Sequence, residues 1–214
     1  MVSVRTLTEK LLLATSNKAK VREYRSLLRD IPYELVTLAE EGITTVVNEE
    51  GGTMEENARL KATALAEESG LLTLADDSGL EVDALGGAPG PLSARYAGEG
   101  ASDSDRINYL LAKLKDVPWE KRSARFRAVI AIAEPGNGVA LCHGECCGFI
   151  TLAPKGEHGF GYDPIFYLPE LDKTMAELPL QLKNRVSHRG QAARKARQVL
   201  ARLSRKRLLK ERQA

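Results

Sequence analysis

The first part of the chain combines a short apolar run with apolar residues at helical spacing. Leu11–Ala14 is a continuous apolar run, which is typical of a buried strand. A helix is predicted next, because Val21, Tyr24 and Leu28 fall on one of its faces. The pattern therefore predicts that the core begins with a strand that leads into a helix.

Further elements follow from capping signals and from periodicity. Thr53 and Glu56 have the spacing of a capping box and predict a helix start, as do Ser102 and Asp105. A strand is predicted at Tyr33–Leu38. Three further strands, Ala124–Ala133, Val139–Cys142 and one through Phe149 and Ile150, form a predicted meander. A final helix is opened by Lys183–Gly190 and has on its inner side Ala192, Ala196, Val199, Leu200 and Leu203.

Two adjacent carboxylates follow a second apolar run. Leu71–Ala75 reads as a strand that stops at Asp76 and Asp77, where Ser-Gly signals a turn before a short strand, Leu80–Leu85. Paired acids at a strand end repel each other and lose hydration, so a bound cation would stabilise them. Mg²⁺ typically takes one or two carboxylates together with substrate phosphates. A solvated acidic turn is the alternative, but the apolar strand and the following glycine-rich turn favour a metal site.

A polar stretch, Thr15–Lys20, lies between the first strand and the first helix. Free N–H groups and the helix dipole favour phosphate at such a position, and Lys18 and Lys20 add positive charge. The stretch lacks the glycines of a P-loop. An ordinary helix start capped by Thr15 or Ser16 is therefore the alternative to a phosphate site.

Other candidates lie farther along the chain. Lys61 adjoins the buried stripe of the second helix, a position where lysine is usually a surface residue. In the glycine-punctuated segment 159–166, Phe160 or Tyr162 is a candidate for stacking on a base, although core packing is the usual role of aromatics. Residues 204–214 form a basic tail, interpreted as a solvated helix end, with a nucleic-acid contact as the alternative.

Composition excludes several classes of protein. Hydrophobic residues make up 43% and charged residues 28% of the 214 positions, as in soluble globular proteins. A net charge of +2 provides no global field for nucleic acid or membranes, so neither is expected as a stable partner. Three cysteines, of which Cys146 and Cys147 are adjacent, argue against a disulfide framework and favour the cytoplasm.

The charged residues suit the cleavage of a triphosphate. Such a reaction needs cations on the phosphates, a metal and an oriented water molecule. The sequence has no convincing Ser-His-Asp or Cys-His signature, since Cys142 and His143 are neighbours in a predicted strand and would point to opposite faces. Direct attack by water is therefore the simpler chemistry.

An ordered set of segments resembles the inosine triphosphate pyrophosphatase family, which hydrolyses non-standard purine nucleoside triphosphates. The set covers residues 11–203 and consists of LATSNKAK at 13–20, ENA with KA at 56–62, ADDSGL at 75–80, LGG with PG at 85–90, SARY at 93–96, GFGYDP at 159–164 and SHRG at 187–190. The resemblance implies a mixed α/β fold with a long central sheet, flanking helices and two lobes around a cleft. It also implies a homodimer that hydrolyses ITP, dITP and XTP to the monophosphate and pyrophosphate with Mg²⁺.

The resemblance also implies roles for single residues. Asp77 would be a metal ligand and the proton acceptor, and Glu49 the second metal ligand, with Glu50 as the alternative. The implied substrate contacts are Thr15, Ser16, Asn17, Lys18, Ala19, Lys20, Lys61, Ser78, Phe160, Gly161, Tyr162, Asp163, Lys183, His188 and Arg189. Two rival interpretations are a pyrophosphatase for modified pyrimidines or dUTP, and a nucleic-acid-binding protein that uses the basic tail.

Overall fold

The structure is a computed structural model that describes residues 9–48 and 51–211. Its strands are β1 Lys10–Leu13, β2 Glu34–Thr37, β3 Leu72–Val82, β4 Ser123–Ala133, β5 Val139–Ile150, β6 Phe166–Leu168 and β7 Lys173–Thr174. Its α-helices are α1 Lys18–Leu27, α2 Met54–Ser69, α3 Asp103–Lys113, α4 Leu180–Val186 and α5 His188–Glu211.

The described residues form one mixed sheet in the order β2-β1-β3-β4-β5-β6-β7. β1 pairs in parallel with β2 on one side and with β3 on the other, whereas the strands from β3 to β7 pair antiparallel. The chain therefore leaves β1 toward one side through α1 and returns to its other side through α2. Such a reversal of strand order opens a crevice at the carboxyl ends of the strands, where α/β proteins bind ligands.

Helices pack on both faces of the sheet. Side chains of α1 and α5, such as Tyr24 and Ala196, share a buried cluster with Leu74 of β3. On the opposite face, Ala58 of α2 packs in a cluster with Ala75 of β3. The two clusters confirm the predicted α/β fold with a mixed central sheet flanked by helices.

Of the predicted N-terminal caps of α1, α2 and α3, two are confirmed. Thr53 and Glu56 form a capping box at the start of α2, and Ser102 and Asp105 form one at the start of α3. The predicted cap of α1 by Thr15 or Ser16 is wrong. Asn17 caps this helix, because its Oδ1 accepts hydrogen bonds from the N–H groups of Ala19 and Lys20 at 2.9 and 3.1 Å.

The predicted turn at the acid pair is wrong. β3 continues through Asp76-Asp77-Ser78-Gly79, because β4 pairs with it residue by residue from Thr73 to Val82. Glycine is needed at position 79 because the backbone of Gly90 packs closely against it, and not because the chain turns there. A Cβ on Gly79 would overlap the carbonyl of Gly90. Likewise, β5 is one strand where the sequence predicted two.

The C-terminal segment also differs from the prediction. Two helices stand where one was predicted, since α4 ends at Val186 and α5 begins at His188. α5 continues through the basic tail to Glu211, and Arg207 forms ion pairs with Glu9 and Glu134 at 2.8 and 2.5 Å. Within the described residues, none of the helices is long and apolar enough to cross a membrane.

Candidate active site

A cavity of about 400 Å³ opens beyond the carboxyl end of β1, beside the part of β3 that extends past β1. Its volume lies in the usual range for small-molecule sites. The walls come from α1, α2, β3, β4, α3 with the segment that leads into it, the loop before β6 and the start of α5. Its lining includes Thr15, Ser16, Asn17, Ala19, Lys20, Lys61, Asp77, Ser78, Ser93, Arg95, Asp103, Arg106, Phe126, Phe160, Gly161, Tyr162, Asp163, His188 and Arg189.

Asp76 lies behind this cavity, on the face of β3 that is covered by α1 and α5. Its side chain is fully buried and contacts Lys20 Nζ at 2.5 Å and Arg189 Nε at 3.3 Å. Burial alone would raise the pKa of Asp76, but the two cations outweigh it and lower this pKa well below its usual range. Asp76 is therefore an ionised internal counter-ion for the cations of the site.

Asp77 points to the opposite face of β3, toward α2, because successive side chains of a strand alternate. It lines the cavity, and its two oxygens accept hydrogen bonds from Asn57 Nδ2 at 3.1 Å and from the N–H of Ser78 at 3.0 Å. Lys61 of α2 also lines the cavity, and its Nζ donates to the backbone carbonyl of Asp76 at 3.0 Å.

Glu23 of α1 is a buried carboxylate that the sequence analysis missed. Its Oε1 lies 2.7 Å from Lys183 Nζ, and its Oε2 lies 2.7 Å from Arg189 Nη1. Burial would raise the pKa of Glu23, but Arg189 and Lys183 outweigh it and lower the pKa. The signal that would have revealed it is its position three residues after Lys20, one helical turn along the same face of α1.

The Phe160–Asp163 loop closes one side of the cavity. Asp163 Oδ2 accepts hydrogen bonds from the N–H of Phe160 at 2.8 Å and from Lys183 Nζ at 2.5 Å. A Cβ on Gly159 would overlap that carboxylate, so only glycine fits there. The Phe160 ring stands over the cations, with its centroid 5.0 Å from Lys183 Nζ and 5.3 Å from Arg189 Cζ.

Phe160 and Tyr162, the two candidates for stacking on a base, have different surroundings. Phe160 is half-buried on the cavity wall. Tyr162 touches the cavity but is only 4% exposed, and its hydroxyl donates to the carbonyl of Ser93 at 3.0 Å. Phe160 is therefore the aromatic side chain better placed to stack on a base, and Tyr162 packs in the core.

His188 begins α5 and lines the same cavity. Its ring stacks on Phe126 with centroids 4.7 Å apart, and burial together with Arg189 and Lys183 lowers its pKa well below 6.5. The backbone of α5 comes this close to the sheet because β5 carries Gly144, where a Cβ would overlap the carbonyl of His188. His188 is therefore a neutral ring at neutral pH.

Most of the predicted site residues meet at this cavity. The exceptions in the described structure are Lys18, which is exposed outside the cavity, and Lys183, which lies behind Phe160 between Glu23 and Asp163. Glu49 and its alternative Glu50 fall outside the described residues. The side chain of Asn17 occupies two of the helix N–H groups that were expected to meet phosphate.

The residues near Asp77 can be compared with the ligands that the expected Mg²⁺ ion would need. Within residues 9–48 and 51–211, no group of three or more His, Cys, Asp or Glu residues is arranged to hold a metal ion. Mg²⁺ does not require such a group, because one or two carboxylates with substrate phosphates and water complete its shell. Asp77, a carboxylate on the cavity wall, has the chemistry of such a ligand.

Comparison with known proteins agrees with this geometry. Residues 11–199 match the model of the Ham1 family. The chain belongs to the Ham1 family. It is 53% identical to the dITP/XTP pyrophosphatase of Desulforamulus reducens, covering 91% of this chain and 96% of the relative. It is 46% identical to the dITP/XTP pyrophosphatase of Bacillus subtilis, covering 88% and 96%.

A solved structure of the family has the same fold. The Ham1 protein of Coxiella burnetii superposes with a TM-score of 0.83 at 43% identity, covering 91% of this chain and 99% of that protein. The family membership inferred from the ordered segments is thus confirmed.

Proposed function

We propose that this protein hydrolyses ITP, dITP and XTP to the monophosphate and pyrophosphate, and so removes them before they enter DNA or RNA. Relatives that share about half of its residues over nearly their whole length are named for dITP and XTP. The observation that carries the proposal is one cavity whose wall combines a carboxylate, lysines and an aromatic ring, namely Asp77, Lys20, Lys61 and Phe160.

The phosphates are assigned to the end of the cavity formed by α1 and α2. Lys20 and Lys61 supply positive charge there, and charge-assisted hydrogen bonds to phosphate are stronger than neutral ones. Lys20 is held in place by Asp76 at 2.5 Å, so its ammonium is oriented before substrate arrives. Such preorganisation lowers the cost of gathering charge around a triphosphate.

The reacting water is assigned to Asp77. Its hydrogen bonds from Asn57 and Ser78 fix the carboxylate, which then accepts a proton from water as the water attacks phosphorus. We propose Mg²⁺ as the cofactor, with Asp77 and Glu49, or Glu50 in its place, as the protein ligands; when bound, the ion neutralises phosphate charge.

The base is assigned to the Phe160 loop and the start of α5. Phe160 stacks on the purine, while Arg189 donates to the 6-keto oxygen that hypoxanthine and xanthine carry. Three of the five guanidinium N–H donors contact Asp76, Glu23 and Ser78 in the described structure, which leaves two for substrate. Adenine presents an amino group at this position, and a polar site rejects such a mismatch by factors on the order of 10⁴.

A pyrophosphate-release assay with Mg²⁺ over a panel of nucleoside triphosphates tests the function. ITP, dITP and XTP are expected to give much higher kcat/KM than ATP or GTP, with little difference between ribose and deoxyribose. Comparable values for ATP and ITP would indicate a general nucleotide pyrophosphatase. A preference for dUTP or a modified pyrimidine would favour the rival enzyme class.

Two further expectations belong to the same proposal. We propose that the enzyme is a homodimer and that it acts in the cytoplasm, where the nucleotide pool is found. Sedimentation equilibrium tests the first, and localisation of the tagged chain tests the second. All three cysteines are unpaired, which fits a reducing compartment.

A further inference from the structure

Two N–H groups of the loop at the cavity mouth are held by carboxylates from different parts of the fold. Phe160 donates to Asp163, which is anchored by the buried ammonium of Lys183. Gly161 donates at 2.7 Å to Oδ2 of Asp103, which lies in the first turn of α3, 58 residues earlier in the chain. The loop that carries the Phe160 ring is therefore fastened to α3 as well as to α4.

Asp103 is itself held in position by an arginine. Its Oδ1 is paired with Arg106, one turn along α3. Arg106 Nη1 also donates to the carbonyls of Ala94 and Ala101, at 3.0 and 2.6 Å. Because the arginine is fixed at three acceptors, the carboxylate of Asp103 is presented to Gly161 in one orientation.

The backbone of Gly161 suits this contact. Its φ of 61° is left-handed, a conformation that glycine adopts without strain. Asp103, Arg106, Phe160 and Gly161 all lie on the wall of the cavity. A change at Asp103 is therefore transmitted to the aromatic ring through one hydrogen bond and one peptide unit.

We propose that Asp103 is a positioning residue that holds the Phe160 ring over the base and thereby sets how tightly and how selectively the purine is bound. This role rests on the proposed function and deepens it, because it assigns part of the base selectivity to α3. Lys20, Lys61 and Asp77 lie on other elements, whereas the hydrogen bonds of Asp103 lie within α3 and to the Phe160 loop. Asp103 should therefore affect binding of the base more than the chemical step.

The test compares Asp103→Ala with wild type in steady-state hydrolysis of ITP, dITP and GTP. KM for ITP is expected to rise about tenfold, the equivalent of about 1.4 kcal/mol, with kcat little changed. The ratio of kcat/KM for ITP to that for GTP should fall, because a base that is held less firmly can shift, and the unpartnered 2-amino group of guanine then costs less binding energy. This ratio does not depend on the fraction of folded enzyme, so simple destabilisation leaves it unchanged.

Two further variants separate the contact from the stability of the helix. Asp105→Ala removes the other acid of the first turn of α3, which bonds only to Ser102 in the described structure, and should leave KM and the ratio as in wild type. Asp103→Asn keeps an acceptor for Gly161 but loses the charge paired with Arg106, and should lie between wild type and Asp103→Ala. Calorimetry with inosine monophosphate should show the same order of affinities without turnover.

Several results would overturn the role of Asp103. They are an unchanged KM and ITP/GTP ratio in Asp103→Ala, an equal change in Asp105→Ala, or a loss confined to ITP and absent for dITP, which would indicate a direct contact with the ribose 2′-hydroxyl. Unchanged affinity for inosine monophosphate in Asp103→Ala would overturn it as well. A wild-type enzyme that releases no pyrophosphate from ITP, dITP or XTP would instead overturn the proposed function, and the calorimetric series would still decide the positioning role.

Discussion

Asp76 and Asp77 are neighbours on β3, yet their side chains lie on opposite faces of the sheet and in different surroundings. Asp76 is fully buried among α1 and α5 and is paired with Lys20 and Arg189. Asp77 lines the cavity on the α2 side and accepts hydrogen bonds from Asn57 and Ser78. The difference suggests a division of roles, in which one carboxylate organises the cations of the site and the other meets substrate and water.

Of the changes considered, Asp77→Asn should have the largest effect, which is a loss of turnover. The change removes the proposed proton acceptor, which is also a proposed metal ligand, at nearly constant volume, so kcat for ITP should fall by a factor of about 10² to 10⁴. Steady-state pyrophosphate release measures this. Glu81→Gln is the matched control, because Glu81 lies on the same face of β3, outside the cavity, and pairs with Arg125 and Arg127. An equal loss in both variants would show that the effect is not specific to Asp77.

Asp76→Asn should destabilise the fold. It leaves Lys20 and Arg189 in a buried site with less negative charge, and breaking a buried ion pair typically costs about 3–5 kcal/mol. Urea unfolding of Asp76→Asn and wild type measures this loss. If Asp76→Asn were as stable as wild type, Asp76 would not be the internal counter-ion of Lys20 and Arg189.

Glu23→Gln should have a smaller effect of the same kind. Glutamine keeps one acceptor oxygen but loses the charge shared by Lys183 and Arg189, and a hydrogen bond to a charged group is worth about 1.5–3 kcal/mol. The loss appears as a lower urea midpoint at unchanged slope. Glu40→Gln, which removes an exposed partner of Arg25, is the control and should shift the midpoint less. A larger shift in the control would contradict the buried role of Glu23.

The smallest expected effect is a pH dependence caused by His188. Its pKa in the folded state lies below the unfolded value near 6.5, so the unfolded state binds the proton first as pH falls. The stability contributed by the neutral ring is thus complete above about pH 6.5 and declines below it, by up to about 1.4 kcal/mol per pH unit. Unfolding free energies of wild type and His188→Gln from about pH 7.5 to about pH 5.5 measure it. If the unfolding free energies of wild type and His188→Gln changed with pH in parallel, His188 would not be the cause of the pH dependence.

Much of the fold could be predicted from local signals. The capping boxes at Thr53 and Ser102 and the apolar run Ala124–Ala133 each specify an element through nearby residues, and each prediction is confirmed. The error at Ser78-Gly79 has a physical reason. Ser-Gly favours a turn locally, but pairing along the whole length of β4 keeps the strand extended, and that pairing is a long-range property.

The site was predicted unevenly for a similar reason. Ordered segments identified many of the residues around the cavity, because a family resemblance records positions that meet only after folding. It did not distinguish Lys20 on the cavity wall from Lys183 behind Phe160. Glu23 and Asp103 were missed, because their importance lies in contacts with residues far along the chain, such as Arg189 and Gly161.

The most direct test of the division between the two carboxylates is Mn²⁺ binding followed by electron paramagnetic resonance, with Mn²⁺ in place of Mg²⁺. The ligand is inosine α,β-methylene triphosphate, whose α–β link cannot be hydrolysed. Asp76→Asn, measured where it is folded, should bind Mn²⁺ with nearly the wild-type affinity, whereas Asp77→Asn should bind it at least about tenfold more weakly, since it loses a carboxylate ligand. Equal Mn²⁺ affinities of wild type and Asp77→Asn, or a loss confined to Asp76→Asn, would contradict the account.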